Sequence, residues 1–195
     1  KNGDALFTAG HALDPGALFG PEAVISCLSI GRQQQTPIFF DLGPAAFMSD
    51  RSYIEQAITH ANVLLATQEE ATGWLGISEP ITAAYKFLDQ GVTEVIIKLG
   101  PDGCLLVNQS EQVIIPAHEV KMRNAAAAGD AFAAGCVYGF LSSYTLQQTG
   151  QLANAIGAAS VSKLGTGTRL PQRNEIIELL AAEKHPIAYK PNTND

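Results

Sequence analysis

Short apolar segments alternate with helical patterns along most of this 195-residue chain. Four apolar segments lie at residues 5–9, 37–41, 62–66 and 94–99, and helical spacing of apolar residues follows at 22–30, 50–61, 68–75 and 81–90. A helix that connects two strands returns the chain to the same edge of a sheet, so the two strands run parallel. The alternation therefore predicts an α/β fold with a mainly parallel sheet flanked by helices.

The second half of the chain continues this pattern with a hairpin and three helices. The segments 104–107 and 112–115 are mainly apolar and alternate with polar turns, which predicts an antiparallel hairpin. Helices are expected at 129–142, 146–164 and 172–183, and residues from 185 onward are expected to form a loose tail. No linker or internal repeat separates these segments, so residues 1–195 are predicted to form one domain.

Composition and charge exclude several classes of function. Apolar residues make up 46% of the chain and charged residues 16%, which is typical of a globular protein. The net charge is −7 without a basic run, so we expect no nucleic-acid partner. No apolar run is long enough to predict a membrane span, and three distant cysteines favour packing in a reducing, cytoplasmic compartment. The four histidines lack metal-ligand spacing.

One stretch combines small residues with an aspartate at a predicted helix start. Residues 123–135 read RNAAAAGDAFAAG, and the helix is expected to begin near Gly129. The first N–H groups of a helix lack partners within it and attract anions such as phosphate. Asp130 could accept a proton from an attacking hydroxyl there. The alternative is an alanine-rich helix in which Asp130 only complements the helix dipole.

This stretch resembles the C-terminal signature of the ribokinase-like carbohydrate kinases, the PfkB family. The family pattern is Asp-Thr-x-Gly-Ala-Gly-Asp-x-Phe-x-x-Gly. Asn124 stands in place of the first Asp and Ala127 in place of the first Gly, while the matching positions are Ala128, Gly129, Asp130, Phe132 and Gly135. The pattern is fairly specific, because it fixes several residue types within a short window.

Other segments resemble the same family in the same order. Residues 62–71 are similar to the segment that carries Asn-x-x-Glu, with Glu70 matching the Glu and Thr67 replacing the Asn. Residues 96–103 resemble the strand and Gly-x-x-Gly turn beside the nucleotide phosphates. Residues 39–41 resemble an upstream strand that ends in an aspartate, and the helix after 153 resembles the segment near the adenine. The resemblance covers nearly the whole chain.

The resemblance implies transfer of the γ-phosphoryl group of ATP to a sugar or related alcohol. Asp130 would be the general base. The backbone amides of Ala127, Ala128 and Gly129 would stabilise the charge that develops during transfer. Glu70 would organise the water shell of Mg²⁺.

The resemblance also implies a set of binding residues. Lys98, Gly100 and Gly103 would lie near the nucleotide phosphates, and Asn154 near the adenine or ribose. Thr67 would take the place of the Asn that supports the Mg²⁺ water network. The backbone near Asn124 and the loop at residues 164–168 could hold a monovalent cation such as K⁺.

Three departures from the family pattern affect these expectations. If the glycine that Ala127 replaces adopts a positive φ, the alanine distorts the anion site and slows transfer. Thr67 is shorter than Asn, which would weaken the Mg²⁺ network. The chain begins at Lys1 in the middle of the family fold, so the N-terminal part and the lid, which carry most sugar contacts, are expected to be missing. We therefore expect an exposed apolar sheet edge, to be covered by that segment or by a partner in a homodimer.

Two rivals remain open on the sequence. A non-catalytic family member would keep the fold and bind nucleotide without transferring phosphate. A structural subunit would bind no nucleotide, and a side chain would fill its anion site. Asp41 either contacts substrate or caps the following turn, and the sequence favours the structural role.

Overall fold

The computed structural model of the protein describes residues 4–165 and 170–182. The six strands are β1 Leu6–Ala9, β2 Ile38–Asp41, β3 Val63–Thr67, β4 Glu94–Lys98, β5 Cys104–Asn108 and β6 Gln112–Ile115. The seven α-helices of the described residues are α1 Gly20–Gln33, α2 Arg51–His60, α3 Gln68–Leu75, α4 Pro80–Leu88, α5 Ala128–Leu141, α6 Leu146–Val161 and α7 Arg173–Ala181. Short 3-10 segments follow β1, β2 and β4 at Gly10–Leu13, Pro44–Phe47 and Gly100–Asp102. The predicted tail from residue 185 lies outside the described residues.

The six strands form one sheet in the order of the sequence. Strands β1 to β4 are parallel and β5 runs antiparallel to β4. In the register of the sheet, Ala9 lies opposite Asp41 and Thr67 lies opposite Lys98. The carboxyl ends of the parallel strands therefore share one edge, where ligands bind in folds of this kind. The predicted mainly parallel sheet is confirmed.

The described residues fall into two compact units. The first comprises Lys1–Gly100 and Cys104–Ile114, and the second comprises Pro101–Gly103 and Ile115–Asp195. In the first unit, Phe40, Leu64 and Ile97 pack in a cluster with apolar residues from α1, α2, α3 and α4. The alternate strand residues Phe39 and Leu65 are also fully buried. Burial on both faces explains why these strands are continuous apolar runs rather than alternating ones.

The second unit depends on close contact between α5 and α6. A Cβ atom added at Gly135 would lie 2.8 Å from the Cα atom of Ala153, and one added at Gly139 would lie 2.7 Å from Thr149 Oγ1. The missing side chains at these two positions allow the helix backbones to approach. Helix α6 ends three residues earlier than predicted, where the Val161 carbonyl oxygen accepts the backbone N–H groups of residues 123 and 124.

Strand β1 is an edge strand of this sheet. Among the described residues it pairs only with β2, and the side chain of Phe7 is 47% exposed. An unpaired edge offers backbone groups to a further strand. Within the described residues, no helix has the length and apolar character needed to cross a membrane.

Candidate active site

The start of α5 holds the predicted catalytic stretch in a strained backbone conformation. Ala127 is the residue before the helix, with φ of 60° and ψ of 10°, and its side chain provides no capping hydrogen bond. This left-handed conformation costs a non-glycine residue about 1–2 kcal/mol. The sequence predicted strain at Ala127 if its φ were positive, and its φ is positive.

Two backbone amides at the start of α5 lie outside the helical hydrogen-bond pattern. The N–H of Ala128 donates to the carbonyl oxygen of Ala125 at 3.2 Å, and helical bonding resumes where Ala131 N–H donates to Ala127 O at 3.0 Å. Between them, the N–H groups of Gly129 and Asp130 find no acceptor among the described residues. Uncompensated N–H groups of this kind carry the positive end of the helix dipole.

Asp130 lies in the first turn of α5 and is exposed. Within the described residues its carboxylate forms no salt bridge or hydrogen bond. Gly129 is exposed as well, so no described side chain covers the start of the helix. The arrangement presents a carboxylate beside unbonded amides, which can accept a proton and bind an anion.

Asn124 organises the approach to this helix. Its side-chain Oδ1 accepts the backbone N–H of Ala126 at 3.0 Å, and its own N–H donates to the carbonyl oxygen of Val161 at 3.2 Å. The side chain and the backbone of Asn124 thus hold the segment before α5 against the end of α6. The predicted monovalent-cation loop lies partly outside the described residues, so that role stays a prediction.

The second half of the signature serves packing. Phe132 is 7% exposed, and Gly135 is the position at which α5 meets Ala153 of α6. The signature therefore combines residues for two purposes. Its first part forms an open helix start, and its second part fixes the helix that carries Asp130.

The start of α3 contains the predicted Mg²⁺ residue in a complete capping box. Thr67 Oγ1 accepts the N–H of Glu70 at 3.1 Å, and Glu70 Oε2 accepts the N–H of Thr67 at 2.8 Å. This reciprocal pair satisfies two N–H groups at the helix start. Thr67 therefore performs the capping function that the pattern Thr-x-x-Glu indicates. The other carboxylate oxygen of Glu70 accepts no hydrogen bond from a described residue and remains available to a water ligand of a metal ion.

Lys98 forms an ion pair with Asp41 that the sequence did not predict. Its Nζ lies 2.9 Å from Asp41 Oδ1 and 2.8 Å from Oδ2, and only 14% of the Lys98 side chain and 9% of the Asp41 side chain are exposed. For Asp41 the sequence predicts either a substrate contact or a cap on the following turn, and it favours the structural role. The signal in the sequence is that β2 and β4, which both have apolar interiors, end in charged residues of opposite sign.

The turn after β4 requires its glycines. Gly100 has φ of 61° and Gly103 has φ of 102°. A Cβ atom at Gly103 would lie within 1.9 Å of the carbonyl oxygen of Ile115. Gly103 is therefore explained by backbone packing, and its predicted contact with the nucleotide phosphates stays a prediction.

Asn154 is a buried structural residue in this structure. Its Nδ2 donates to the carbonyl oxygens of Ile115 and Pro116, both at 3.0 Å, and the residue is 7% exposed. Both amide hydrogens therefore bind backbone. The predicted contact between Asn154 and adenine or ribose would fall to its Oδ1 atom.

The strongest resolved pKa shift lies away from these residues. Burial, helped by the nearby charge of Glu111, raises the pKa of Glu94 to about 7. Glu94 is the first residue of β4, at the end opposite Lys98. No group of three or more potential metal ligands occurs among the described residues.

Comparison with known proteins identifies the family of the chain. The family of pfkB carbohydrate kinases matches residues 2–173. The 1-phosphofructokinase of Escherichia coli K12 is 31% identical over 159 residues, which cover 78% of this chain and 49% of that protein. Ribokinase of Mus musculus is 30% identical over 166 residues, which cover 80% of this chain and 50% of that protein. The chain thus spans about half the length of these relatives.

Solved structures confirm the predicted ribokinase-like fold. A putative ribokinase II from E. coli in complex with ATP and Mg²⁺ superposes with a TM-score of 0.83 at 23% identity. The match covers 92% of this chain and 59% of that one.

Proposed function

The chain belongs to the pfkB family of carbohydrate kinases, and on that premise we propose that it carries the ATP-binding and catalytic-base portion of a sugar kinase. The reaction would transfer the γ-phosphoryl group of ATP to a hydroxyl of a sugar or related small molecule. The observation that carries this proposal is the exposed carboxylate of Asp130 at a helix start with unbonded amides. We also propose that residues 1–195 act as a single ribokinase-like domain.

Asp130 is the proposed general base. It would take the proton of the attacking hydroxyl as the oxygen–phosphorus bond forms, and the oxygen between the β- and γ-phosphorus atoms would leave with the electrons of the broken bond. Amides at residues 127–129, together with that of Asp130, would stabilise charge on the transferred group. The unbonded N–H groups of Gly129 and Asp130 support this assignment.

Glu70 and Lys98 are the proposed groups for the metal and the phosphates. Mg²⁺, when bound with ATP, neutralises phosphate charge, and Glu70 would hold its water ligands through the carboxylate oxygen that the capping box leaves open. The turn from Gly100 to Gly103 would lie beside the phosphates. The solved E. coli relative that holds ATP and Mg²⁺ supports these two cofactors.

Thr67, Asn124 and Asn154 are assigned supporting positions. Thr67 holds Glu70 in its capping box, which supports a role in orienting the metal-binding carboxylate. Asn154 would lie near the adenine or ribose. A monovalent cation such as K⁺ would bind near Asn124 and residues 164–168.

A cytoplasmic location and two kinds of partner complete the proposal. The three cysteines are thiols, which fits a reducing compartment. The sugar is the proposed small-molecule partner. The edge of β1 would be covered by an upstream segment or by a second copy of the chain.

The strain at Ala127 favours a second candidate, a family member that binds nucleotide without catalysing transfer. A left-handed alanine restricts the approach of an anion, because its Cβ stands where glycine has only hydrogen. The structural-subunit rival has less support, since the exposed Gly129 and Asp130 are not covered by a described side chain.

A thermal-shift titration with Mg-ATP tests nucleotide binding. At 100 times its dissociation constant, a ligand stabilises a protein by about 2.7 kcal/mol. We expect a saturable shift that Glu70→Ala weakens and that Glu69→Ala, an exposed neighbour on the same turn, leaves intact. A sugar panel assayed with the longest protein that contains this chain then separates the two candidates. Binding without transfer to any sugar would favour the non-catalytic member, and absence of Mg-ATP binding would contradict both.

A further inference from the structure

The ion pair between Asp41 and Lys98 spans the end of β3. Asp41 is the last residue of β2 and Lys98 the last residue of β4, and β3 lies between them. In the register, Asp41 lies opposite Leu65, which lies opposite Ile96, two residues before Lys98. Because side chains alternate along strands, Asp41 and Lys98 point to the same face of the sheet, as does Thr67.

Burial makes this pair costly as a purely stabilising contact. Two charges that leave water lose hydration, and apolar residues of similar volume often stabilise a protein as well as a buried ion pair does. The neighbouring strand residues are apolar and fully buried, including Phe40, Leu65 and Ile97. A charged pair at the ligand-binding edge of an otherwise apolar sheet therefore indicates a functional use of the ammonium.

The geometry leaves Lys98 with one donor to spare. A lysine ammonium has three N–H groups, and the two hydrogen bonds to the oxygens of Asp41 use at most two of them. Among the described residues, Lys98 makes no other hydrogen bond or ion pair. The carboxylate thus fixes the ammonium in place, and one N–H remains for an oxygen of a ligand.

Building on the proposed nucleotide site, we infer that Asp41 is a positioning residue: it holds Lys98 so that the remaining N–H donates to a phosphate oxygen of bound ATP. Asp41 acts through Lys98 and does not itself touch the nucleotide. Lysine is long and flexible, and fixing it beforehand removes the entropy that it would lose on binding. The carboxylate also balances the positive charge of Lys98 before ATP binds.

The ratio of ATP affinity to adenosine affinity tests this inference, because adenosine lacks phosphates. In calorimetric titrations of the full chain, Lys98→Met is expected to weaken Mg-ATP binding roughly tenfold or more, the value of one charge-assisted hydrogen bond. Adenosine affinity is expected to stay within twofold. Lys86→Met removes a lysine from an exposed pair with Asp89 and serves as the matched control with unchanged ATP affinity.

Two further variants isolate the contribution of Asp41. Asp41→Glu keeps the carboxylate but moves the ammonium by about the length of one methylene, and we expect weaker ATP binding with unchanged adenosine binding. The charge-balanced double variant D41N/K98M is expected to bind ATP no more weakly than K98M alone, because Asp41 acts on the nucleotide through Lys98. It also avoids the unpaired buried charge that can unfold a single variant.

Three results would overturn the inference while leaving the proposed function intact. These are unchanged ATP affinity in Asp41→Glu, a further loss of ATP affinity in D41N/K98M beyond that of K98M, and an equal loss of ATP and adenosine affinity in K98M. Failure of the unvaried chain to bind Mg-ATP is a different result, because it would overturn the proposed nucleotide site and this inference together.

Discussion

Helices α3 and α5 begin in opposite ways. At α3, Thr67 and Glu70 satisfy each other's backbone N–H groups in a capping box. At α5, Ala127 offers no capping side chain, adopts a left-handed backbone and precedes unbonded amides. A capped helix start stabilises a protein by about 1 kcal/mol, whereas an uncapped start with a strained residue costs a similar amount.

This difference indicates what each helix start is for. At the start of α3 the capping box satisfies the N–H groups of Thr67 and Glu70 and leaves one carboxylate oxygen of Glu70 open to a ligand. The first turn of α5 is exposed, and its unbonded N–H groups are open to water or to an anion. A helix start that carries strain without an internal partner is typical of a functional site, since the strain persists only where the surrounding packing enforces it.

Asp130→Asn is expected to have the largest effect. Asparagine keeps the shape of the side chain but cannot accept the proton, so kcat should fall roughly 10²–10⁴-fold. Steady-state kinetics in the longest protein that contains this chain would measure the change, with Asp89→Asn as an exposed aspartate control. An unchanged kcat in Asp130→Asn would show that Asp130 is not the general base. The functional difference between the starts of α5 and α3 would then lose its main support.

The free energy of unfolding is expected to depend on pH through Glu94. Its pKa of about 7 in the folded protein lies above the ordinary value of 4.5. The folded state therefore prefers the protonated form, and the stability contributed is complete below pH 4.5 and lost as pH rises through 7.

Glu94→Gln removes this titration. At pH 8, urea unfolding should show that the variant is about 2 kcal/mol more stable than the unvaried chain. The full pKa shift of Glu94 would correspond to a larger difference, which the partial exposure of its carboxylate reduces. The difference should disappear near pH 4.5. A constant difference at both pH values would show that Glu94 does not titrate as described.

Ala127→Gly is expected to stabilise the protein by about 1 kcal/mol, because glycine adopts the left-handed conformation without strain. It should also raise the rate of phosphoryl transfer by allowing closer approach to the amides. Ala126→Gly, at an exposed neighbour with ordinary φ, should be neutral or destabilising. Equal effects of the two substitutions in urea unfolding would contradict the assigned strain.

Thr67→Ala is expected to have the smallest effect on activity and a loss of about 1 kcal/mol in stability, because it removes one cap. Thr145→Ala supplies a matched control, since Thr145 and Gln148 form the same capping box at the start of α6. The two variants should lose similar stability, while only Thr67→Ala should weaken Mg-ATP binding. Equal ATP affinity in the two variants would show that Thr67 and Glu70 only cap the helix.

Local features of the site were readable from the sequence. The small residues before Asp130 predict an open helix start, and Thr67-x-x-Glu70 is a local signal for a capping box, although the sequence predictions did not include it. The sequence does not divide the signature at residues 124–135 into parts. Only the structure shows that its start is open, whereas Phe132 and Gly135 are packing positions of α5. Gly135 requires contact with Ala153, and no local pattern shows that contact.

Long-range pairs could not be predicted. Asp41 and Lys98 are 57 residues apart, and their contact depends on strand order and register together. Asn154 likewise was read as a nucleotide contact by resemblance, and the structure directs its amide hydrogens to the carbonyl oxygens of Ile115 and Pro116. A one-residue change of strand register would turn the side chain of Asp41 or of Lys98 to the other face of the sheet.

The sequence by itself determined the alternation of strands and helices, the mainly parallel sheet and the position of Asp130 at a helix start. These features depend on hydrophobic periodicity and on the residue types within a short window, which act over a few residues. The tertiary structure alone decided that Lys98 is held by Asp41 and that Ala127 adopts a positive φ. Both result from packing between segments distant in the chain, where the favourable contacts of many residues outweigh the local preference of one.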